Sequence, residues 1–187
     1  GRIDIGKRQC IGKAHLGEMD KGPSIFGGWD SALSSKRAAG FAAVRGWGGF
    51  GEGRFVLMDA AHYRVSSDKL QSLIIRCAIA HAAQIVCIEA ANHAVDLIRM
   101  VTEHIPNGCT VRSVAIHGQS KMQRLEAQLH KINTGKVFFI HDEPNLNLVS
   151  NELRQFPNGR HDDFVDSFSQ ALSQMGKGSG IPAWRIS

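Results

Sequence analysis

The stretch Asn158-Gly159-Arg160-His161-Asp162-Asp163-Phe164-Val165-Asp166-Ser167 lies near the C-terminus of a chain of 187 residues. Asn158 and Gly159 are typical of a turn. The apolar residues after the turn recur at the spacing of one helix face, as Phe164, Val165, Phe168 and Leu172. We therefore predict a turn followed by a helix that continues to about residue 175, with Asp162 as its N-cap.

Three acidic residues, Asp162, Asp163 and Asp166, lie at the start of this helix. Acids are common there because the helix dipole favours negative charge near the N-terminus, so a single acid would indicate nothing more. Asp163 and Asp166 are three residues apart and share one helix face. With Arg160 and His161 beside them, the three acids predict a site that a cation neutralises.

The composition is that of an ordinary globular protein, with 43% hydrophobic and 21% charged residues. The net charge of +5 permits a polyanionic partner without requiring one. No apolar run approaches the roughly 18 residues of a membrane span, and the N-terminus is too polar for a signal peptide. The four cysteines show no CxxC spacing and the nine histidines no HExxH pattern, so nothing indicates zinc.

The order of elements predicts a mixed α/β sheet. Three strand-like segments come first, at 25–30, 38–47 and 54–63. Further strands alternate with helices after them, with strands at 85–88, 111–116 and 137–140. Tight links between the first three suit an antiparallel meander, and the later alternation suits parallel strands with crossover helices on the flanks. This is the ribonuclease H-like order. We expect an irregular lead-in at 1–24, one domain at 25–175 and a flexible tail at 176–187.

Two acids end apolar strands of this predicted sheet. Asp30 ends the first strand, and Glu89 follows Ile85-Val86-Cys87-Ile88, which reads as a central strand buried on both faces. In such a sheet the carboxyl ends of these two strands can be neighbours. Either acid alone is consistent with a solvated strand end. Both acids together with the Asp-rich helix favour one shared site.

Several short stretches carry a resemblance to a known family. They are Trp29-Asp30-Ser31-Ala32, Ile88-Glu89-Ala90-Ala91, Gly118-Gln119-Ser120-Lys121, Phe156-Pro157-Asn158-Gly159-Arg160-His161-Asp162-Asp163 and Val165-Asp166. In this order and spacing the chain resembles the C-terminal nuclease domain of the large terminase subunit of tailed bacteriophages and prophages. The resemblance covers about residues 25–175. The chain has no GxxxxGK[ST] motif of the ATPase motor.

The resemblance implies a ribonuclease H-like, metal-dependent endonuclease that cuts concatemeric DNA during genome packaging. It implies Asp30 as the first-strand carboxylate and Glu89 as the second. The third comes from the last helix, where Asp163 and Asp166 are both candidates and Asp162 is a further one. It also implies double-stranded DNA, the terminase ATPase motor, the small terminase subunit and the portal as partners, in the cytoplasm of a bacterial host.

The chemistry of phosphodiester hydrolysis is consistent with such acids. Two divalent ions roughly 3.5–4 Å apart can bind the attacking and the leaving oxygen together. Oxygen ligands suit Mg²⁺ or Mn²⁺. Lys121, Arg124 and Arg160 are candidates for phosphate contacts, although a solvated basic face explains Lys121 and Arg124 equally well. His161 is either an aid to proton transfer or simply exposed.

Two other functions are compatible with this pattern. One is a different ribonuclease H-like nuclease, such as a junction resolvase or a transposase core, which uses the same arrangement of carboxylates. The other is a DNA-binding or motor-docking module without catalytic activity. Cleavage of plasmid DNA that depends on Mg²⁺ or Mn²⁺ separates a nuclease of either kind from such a module.

Overall fold

The computed structural model describes residues 10–11, 24–29, 39–48, 54–90, 94–115, 117–140 and 143–174. In this part of the chain the strands are β1 (Cys10–Ile11), β2 (Ser24–Trp29), β3 (Ala39–Gly48), β4 (Phe55–Val65), β5 (Ile85–Glu89), β6 (Thr110–Val114) and β7 (Val137–Ile140). The helices are α1 (Ser67–Ala80), α2 (Ala94–His104), α3 (Lys121–Glu126), α4 (Leu129–Asn133), α5 (Pro144–Gln155) and α6 (Asp163–Ser173). None of these helices is long and apolar enough to cross a membrane.

The described strands form one mixed sheet in the order β1-β7-β4-β3-β2-β5-β6. β2 pairs antiparallel with β3, and β3 pairs antiparallel with β4. The other neighbouring strands are parallel. Parallel neighbours need a crossover connection, and α2 supplies one between β5 and β6. The predicted mixed α/β class, with parallel strands and flanking helices, is confirmed.

The predicted element boundaries agree with the structure to within a few residues. The strand predicted at 137–140 coincides with β7, and α6 ends at Ser173, close to the predicted residue 175. The strand β1 differs from the irregular lead-in that the sequence predicts for residues 1–24. Two residues are too few to show a strand period, and this strand exists because its backbone pairs with β7.

Helix α6 is buried nearly all round, which explains its central place in the fold. All nine residues from Phe164 to Leu172 are buried. Phe164, Val165 and Phe168 belong to an apolar cluster with β4, β7 and α5. Helix α6 also contacts β2, β3 and α3. Buried polar groups need hydrogen-bond partners. The polar residues of α6 and their partners are therefore where a functional site is expected.

The two faces of the sheet are covered by different helices near β5. Successive side chains of a strand point to opposite faces. Val86 and Ile88 belong to the apolar cluster that includes residues of α1 and α2. Ile85, Cys87 and Glu89 therefore face the opposite side of the sheet. Helix α6 contacts β5, and its side chains meet the strand on that side, as described below.

Candidate active site

Glu89 is the last residue of β5, and its carboxylate is buried against α6. The residue is 8% exposed. Its Oε2 atom accepts a hydrogen bond of 2.6 Å from Nε2 of Gln170. The strand alternation described above directs Glu89 to this side of the sheet. A carboxylate held at a strand end with this little exposure carries a desolvation cost that a solvated surface acid does not.

Asp166 is the second buried carboxylate, and it is 3% exposed. Its Oδ1 atom lies 2.5 Å from Nη2 of Arg124, and its Oδ2 atom lies 4.0 Å from Nζ of Lys121. Asp166 and Gln170 are four residues apart on α6, so they share one helix face. Through Gln170, that face of α6 also holds Glu89, which brings two buried acids to one region.

The two cations that face α6 are placed by the start of α3. Ser120 caps this helix, because its Oγ accepts a 3.2 Å hydrogen bond from the Gln123 N–H. The Gln123 Oε1 atom accepts a 2.9 Å bond from the Ser120 N–H in return. The stretch Ser120-Lys121-Met122-Gln123 has the spacing that predicts a capping box at a helix start, and the two hydrogen bonds confirm it. Lys121 and Arg124 follow the cap three residues apart, so they share the helix face that meets α6.

Lys121 makes its shortest ion pair with Asp162, at 2.9 Å from Nζ to Oδ1. Burial lowers the pKa of the Lys121 amine. The hydrogen bond to Asp162 and the negative charges of Asp166 and Asp163 outweigh burial, and they raise the pKa above its ordinary value of 10.5. The amine is therefore charged, and it offsets part of the negative charge of the acidic cluster.

Asp162 is the N-cap residue of α6, as predicted from the sequence. Its side chain makes no capping hydrogen bond, because it is paired with Lys121. The cap comes instead from Glu152 of α5, whose Oε2 accepts a 2.9 Å bond from the Phe164 N–H. A carboxylate at this place also suits the helix dipole. Sequence spacing carried no signal for it, since the two residues belong to different helices.

The pKa of the Glu152 carboxyl leads to a prediction about how the stability of the fold depends on pH. Burial raises the pKa of its carboxyl above the ordinary 4.5, although the Phe164 N–H and the charge of His62 act in the opposite direction. A raised pKa in the folded state means that this group stabilises the fold fully below pH 4.5 and loses that contribution as pH rises through the raised value. We expect Glu152→Gln, which keeps an acceptor for Phe164, to gain stability relative to the parent as pH rises.

The difference in Tm between the parent and Glu152→Gln, measured from below pH 4.5 to alkaline pH, tests this expectation. Glu103→Gln is the control, because the Glu103 side chain is 52% exposed on α2. The gain in stability with rising pH should be larger for Glu152→Gln than for this control. A parent that instead becomes more stable than Glu152→Gln at alkaline pH would contradict the raised pKa.

The sequence-predicted acids differ in their surroundings. Asp166 is buried, whereas Asp163 is exposed and the Asp162 side chain is 43% exposed. Asp163 and Asp166 were predicted to share one helix face, but only Asp166 is buried. Asp30 lies outside the described residues. The residue before it, Trp29, is the last of β2 and pairs in parallel with Ile88.

The predicted basic residues fall into two groups. Lys121 and Arg124 contact the acids of α6, so they do not form the solvated basic face that the sequence also allowed. Arg160 and His161 are both exposed and line a different cavity of about 330 Å³ with Glu152 and other residues. The prediction that Lys121, Arg124 and Arg160 contact DNA phosphates is not tested by these contacts.

Gln170 is a residue of this region that was not predicted from the sequence. Its amide holds the buried Glu89 carboxylate. The available signal was its position, four residues after Asp166 on the predicted helix face.

Within the described parts of the chain, no group of three or more His, Cys, Asp or Glu side chains lies close enough together to hold a metal ion. Glu89 and Asp166 are the two buried acids of the predicted metal site in this part of the chain, and another predicted acid, Asp30, lies outside the described residues.

Comparisons with other proteins point to one group of solved structures. No protein-family model matches the sequence, and no curated protein sequence matches it. The nuclease domain of the phage P22 large terminase matches with a TM-score of 0.62 at 14% identity, over 95% of this chain and 92% of that one. The K428A mutant of gp2c of the phage Sf6 large terminase subunit, solved with calcium, also has a TM-score of 0.62, at 13% identity over 91% and 99%.

A viral protein of a eukaryotic host gives a similar match. The terminase nuclease domain of human cytomegalovirus, soaked with Mn and bound to an inhibitor, has a TM-score of 0.55 at 13% identity, over 88% of each chain. Identities this low establish the fold and not the chemistry. The resemblance to terminase nuclease domains that the sequence indicates is confirmed in the structure, and this chain has the fold of the nuclease domains of large terminase subunits.

Proposed function

We propose that this chain is a metal-dependent DNA endonuclease of the terminase type, with a ribonuclease H-like arrangement of its sheet. The observation that carries the proposal is the pair of buried carboxylates, Glu89 and Asp166, held on one face of α6. A purely structural role would favour apolar residues at such positions, since buried charges cost stability even when paired. The shared fold with terminase nuclease domains agrees with it.

Asp30 joins these acids in the proposal because of the strand register. β2 and β5 are parallel neighbours, and Trp29 pairs with Ile88. The residues that follow in the sequence are Asp30 and Glu89, and the carboxyl ends of neighbouring parallel strands lie at one edge of a sheet. We assign Asp30, Glu89 and Asp166 as ligands, with the exposed Asp163 as an alternative third acid and Asp162 as a further one.

The donor atoms fit a hard divalent cation. The acids offer carboxylate oxygens, and neither cysteine nor histidine is part of the set, which favours Mg²⁺ or Mn²⁺. Two such ions, when bound, would polarise the scissile phosphate and activate water. The chain itself contributes position and charge. Gln170 orients the Glu89 carboxylate, and Arg124 holds Asp166, so both acids present fixed oxygens.

The biological setting is proposed from the same likeness. The activity would be cleavage of concatemeric viral DNA during packaging, in a bacterial host cell or from a prophage. Partners would be double-stranded DNA, the ATPase motor of the large subunit, the small subunit and the portal. We propose residues 25–175 as the nuclease domain, with 1–24 and 176–187 as flanking segments.

Nicking of supercoiled plasmid by the purified chain tests the activity. We expect nicking with Mg²⁺ or Mn²⁺, and none when the metal is removed by a chelator. Nicking that persists without divalent metal would contradict two-metal hydrolysis. Complete inactivity of a folded chain that does bind Mn²⁺ would favour a DNA-binding or motor-docking module.

A crystal soaked in Mn²⁺ tests the ligand set. We expect one or two ions within about 2.0–2.3 Å of carboxylate oxygens from Asp30, Glu89 and Asp166. Anomalous scattering at the Mn edge locates the ions without ambiguity. Ions bound only to Asp162 and Asp163 at the surface would contradict the assignment of Glu89 and Asp166, and so would Asp30 on the opposite face of the sheet.

We expect weak DNA binding with little sequence preference. The net charge is only +5, and Lys121 and Arg124 are engaged with acids. Phosphate contacts by all three candidate cations would give a slope of about −3 for log K against log salt, and contacts by Arg160 alone a slope of about −1. Arg160→Ala should reduce that slope by about 1, whereas the exposed Arg99→Ala on α2 should leave it unchanged.

Fluorescence titrations of several unrelated duplexes at two or more salt concentrations give these slopes. Tight binding to one duplex that salt barely affects would contradict the prediction. Such a result would favour a junction resolvase or transposase core, which selects its own DNA site.

A further inference from the structure

A small cavity lies behind the residues that hold the two buried acids. Its volume is about 70 Å³. It opens between the end of β6, the segment 119–128 that includes α3, and the second half of α6. The lining residues that carry polar side chains are Gln119, Arg124, Gln128, Ser169, Gln170 and Ser173. This cavity is separate from the carboxylates themselves, since neither Glu89 nor Asp166 lines it.

Three buried polar atoms on the lining residues lack a hydrogen-bond partner among the described residues. They are Arg124 Nε, Gln128 Oε1 and Gln170 Oε1. Gln128 is 9% exposed and Gln170 is 2% exposed. An unsatisfied buried polar group costs about 1–3 kcal/mol, and native proteins contain few of them. Three such atoms on residues that line one small cavity therefore call for a partner.

The other ends of two of these side chains are already in use. Arg124 donates from Nη2 to Asp166 and from Nη1 to the backbone oxygen of Gln119. Gln170 donates from its amide nitrogen to Glu89. The unsatisfied Arg124 Nε and Gln170 Oε1 atoms thus belong to the same guanidinium and amide groups that hold the two acids. Anything bound to those free atoms also restrains the orientation of the guanidinium and of the amide.

We propose that the cavity is a binding site for ordered water, and that this water links Arg124, Gln128 and Gln170 into one network behind the acidic site. The three atoms comprise one donor and two acceptors. A water molecule can accept from Arg124 Nε and donate to the two glutamine oxygens. On the same measure of volume a water molecule needs roughly 10–15 Å³, so the cavity has room for water. Buried water typically makes about three hydrogen bonds to buried polar groups that otherwise lack partners.

Gln128 then has a role that its distance from the acids would not indicate. Its side chain makes no hydrogen bond with Glu89 or Asp166, but its carbonyl anchors the water that restrains Arg124 and Gln170. It is a positioning residue for the acidic site. This consequence rests on the proposed metal site, whereas the presence of ordered water in the cavity does not.

The first test is a crystal structure of the parent chain at a resolution that shows solvent. We expect water within about 2.7–3.2 Å of Arg124 Nε, Gln128 Oε1 and Gln170 Oε1. A dry cavity would overturn the proposal, and so would a side chain from another part of the chain that satisfies the three atoms directly. This test is independent of nuclease activity.

The second test measures Mn²⁺ affinity by titration calorimetry in Gln128→Met, which keeps the length of the side chain and removes the acceptor. Loss of outer partners of metal ligands weakens binding about 10- to 100-fold, and Gln128 acts one step further out, so we expect about 3- to 10-fold. Gln155→Met, an exposed glutamine on α5, is the matched control and should bind Mn²⁺ as the parent does.

Equal affinities of Gln128→Met and Gln155→Met would overturn the positioning role of Gln128. A parent chain that binds no Mn²⁺ would instead refute the proposed metal site, and the crystallographic test would still decide whether the cavity holds water. A crystal structure of Gln128→Met adds a readout beyond stability. We expect Arg124 or Gln170 to change rotamer in it, and unchanged side chains would count against the network.

Discussion

Glu89→Gln is expected to lower the rate of metal-dependent DNA cleavage by about 10³-fold or more, because losing several kcal/mol of transition-state stabilisation corresponds to roughly three powers of ten. The substitution removes a buried negative charge and leaves the side chain the same size. The amide oxygen that the change introduces can still accept the hydrogen bond from Gln170. The fold should therefore survive, and thermal unfolding should show a stability equal to or above that of the parent.

Single-turnover cleavage of plasmid DNA at saturating Mg²⁺ and at saturating Mn²⁺ measures this loss. Glu103→Gln makes the same chemical change at a side chain that is 52% exposed on α2, and it should cleave like the parent. Asp30→Asn is expected to abolish cleavage in the same way, because it removes the charge of the other proposed strand-end ligand. Parent-like turnover by Glu89→Gln would refute the proposed role of this acid.

Arg124→Met is expected to destabilise the fold by about 3 kcal/mol, because removal of one member of a buried ion pair leaves an uncompensated charge. The Arg124 side chain is 12% exposed and the Asp166 side chain is 4% exposed. Lys121 is 4.0 Å from the other oxygen of Asp166 and offsets only part of the loss. For a chain of this length the effect corresponds to a fall in Tm of roughly 6–12 °C.

Chemical denaturation of Arg124→Met and of Arg99→Met compares a buried cation with an exposed one. Arg99 also pairs with acids, Asp96 and Glu103, but its side chain is 60% exposed, so its loss should cost well under about 1 kcal/mol. Adding Asp166→Asn to Arg124→Met should restore much of the lost stability. A double variant as unstable as Arg124→Met would show that the cost comes from lost packing and not from the unpaired acid.

The order of the elements could be predicted from local patterns. The continuous apolar run of β5 indicated a central strand, and the capping box at Ser120 indicated the start of α3; both are in the structure. These signals are local, since propensity and periodicity act over a few residues. Local patterns did not indicate β1, because a strand of two residues exists only through its pairing with β7.

The acids could be named from the sequence, but their partners could not. Glu89 and Asp166 stand out as acids at the end of an apolar strand and within an apolar helix. The contact of Glu89 with Gln170 spans 81 positions, and that of Asp166 with Arg124 spans 42. No local pattern encodes contacts over such separations, so the pairing of Arg124 with Asp166 could not be predicted from the sequence.

Local patterns were sufficient for the fold class, the strand-end position of Glu89 and the helical position of Asp166, because these depend on short-range periodicity and on capping. The packing of the elements was needed to establish that Asp166 is buried while Asp163 is exposed. It was also needed to establish that the side chain of Glu152, and not that of Asp162, accepts a hydrogen bond from the start of α6. Burial and pairing depend on which elements meet, and that is not encoded within any one of them. Helix α6 turns Asp166 and Gln170 towards α3 and β5, and the low exposure there makes each polar contact specific.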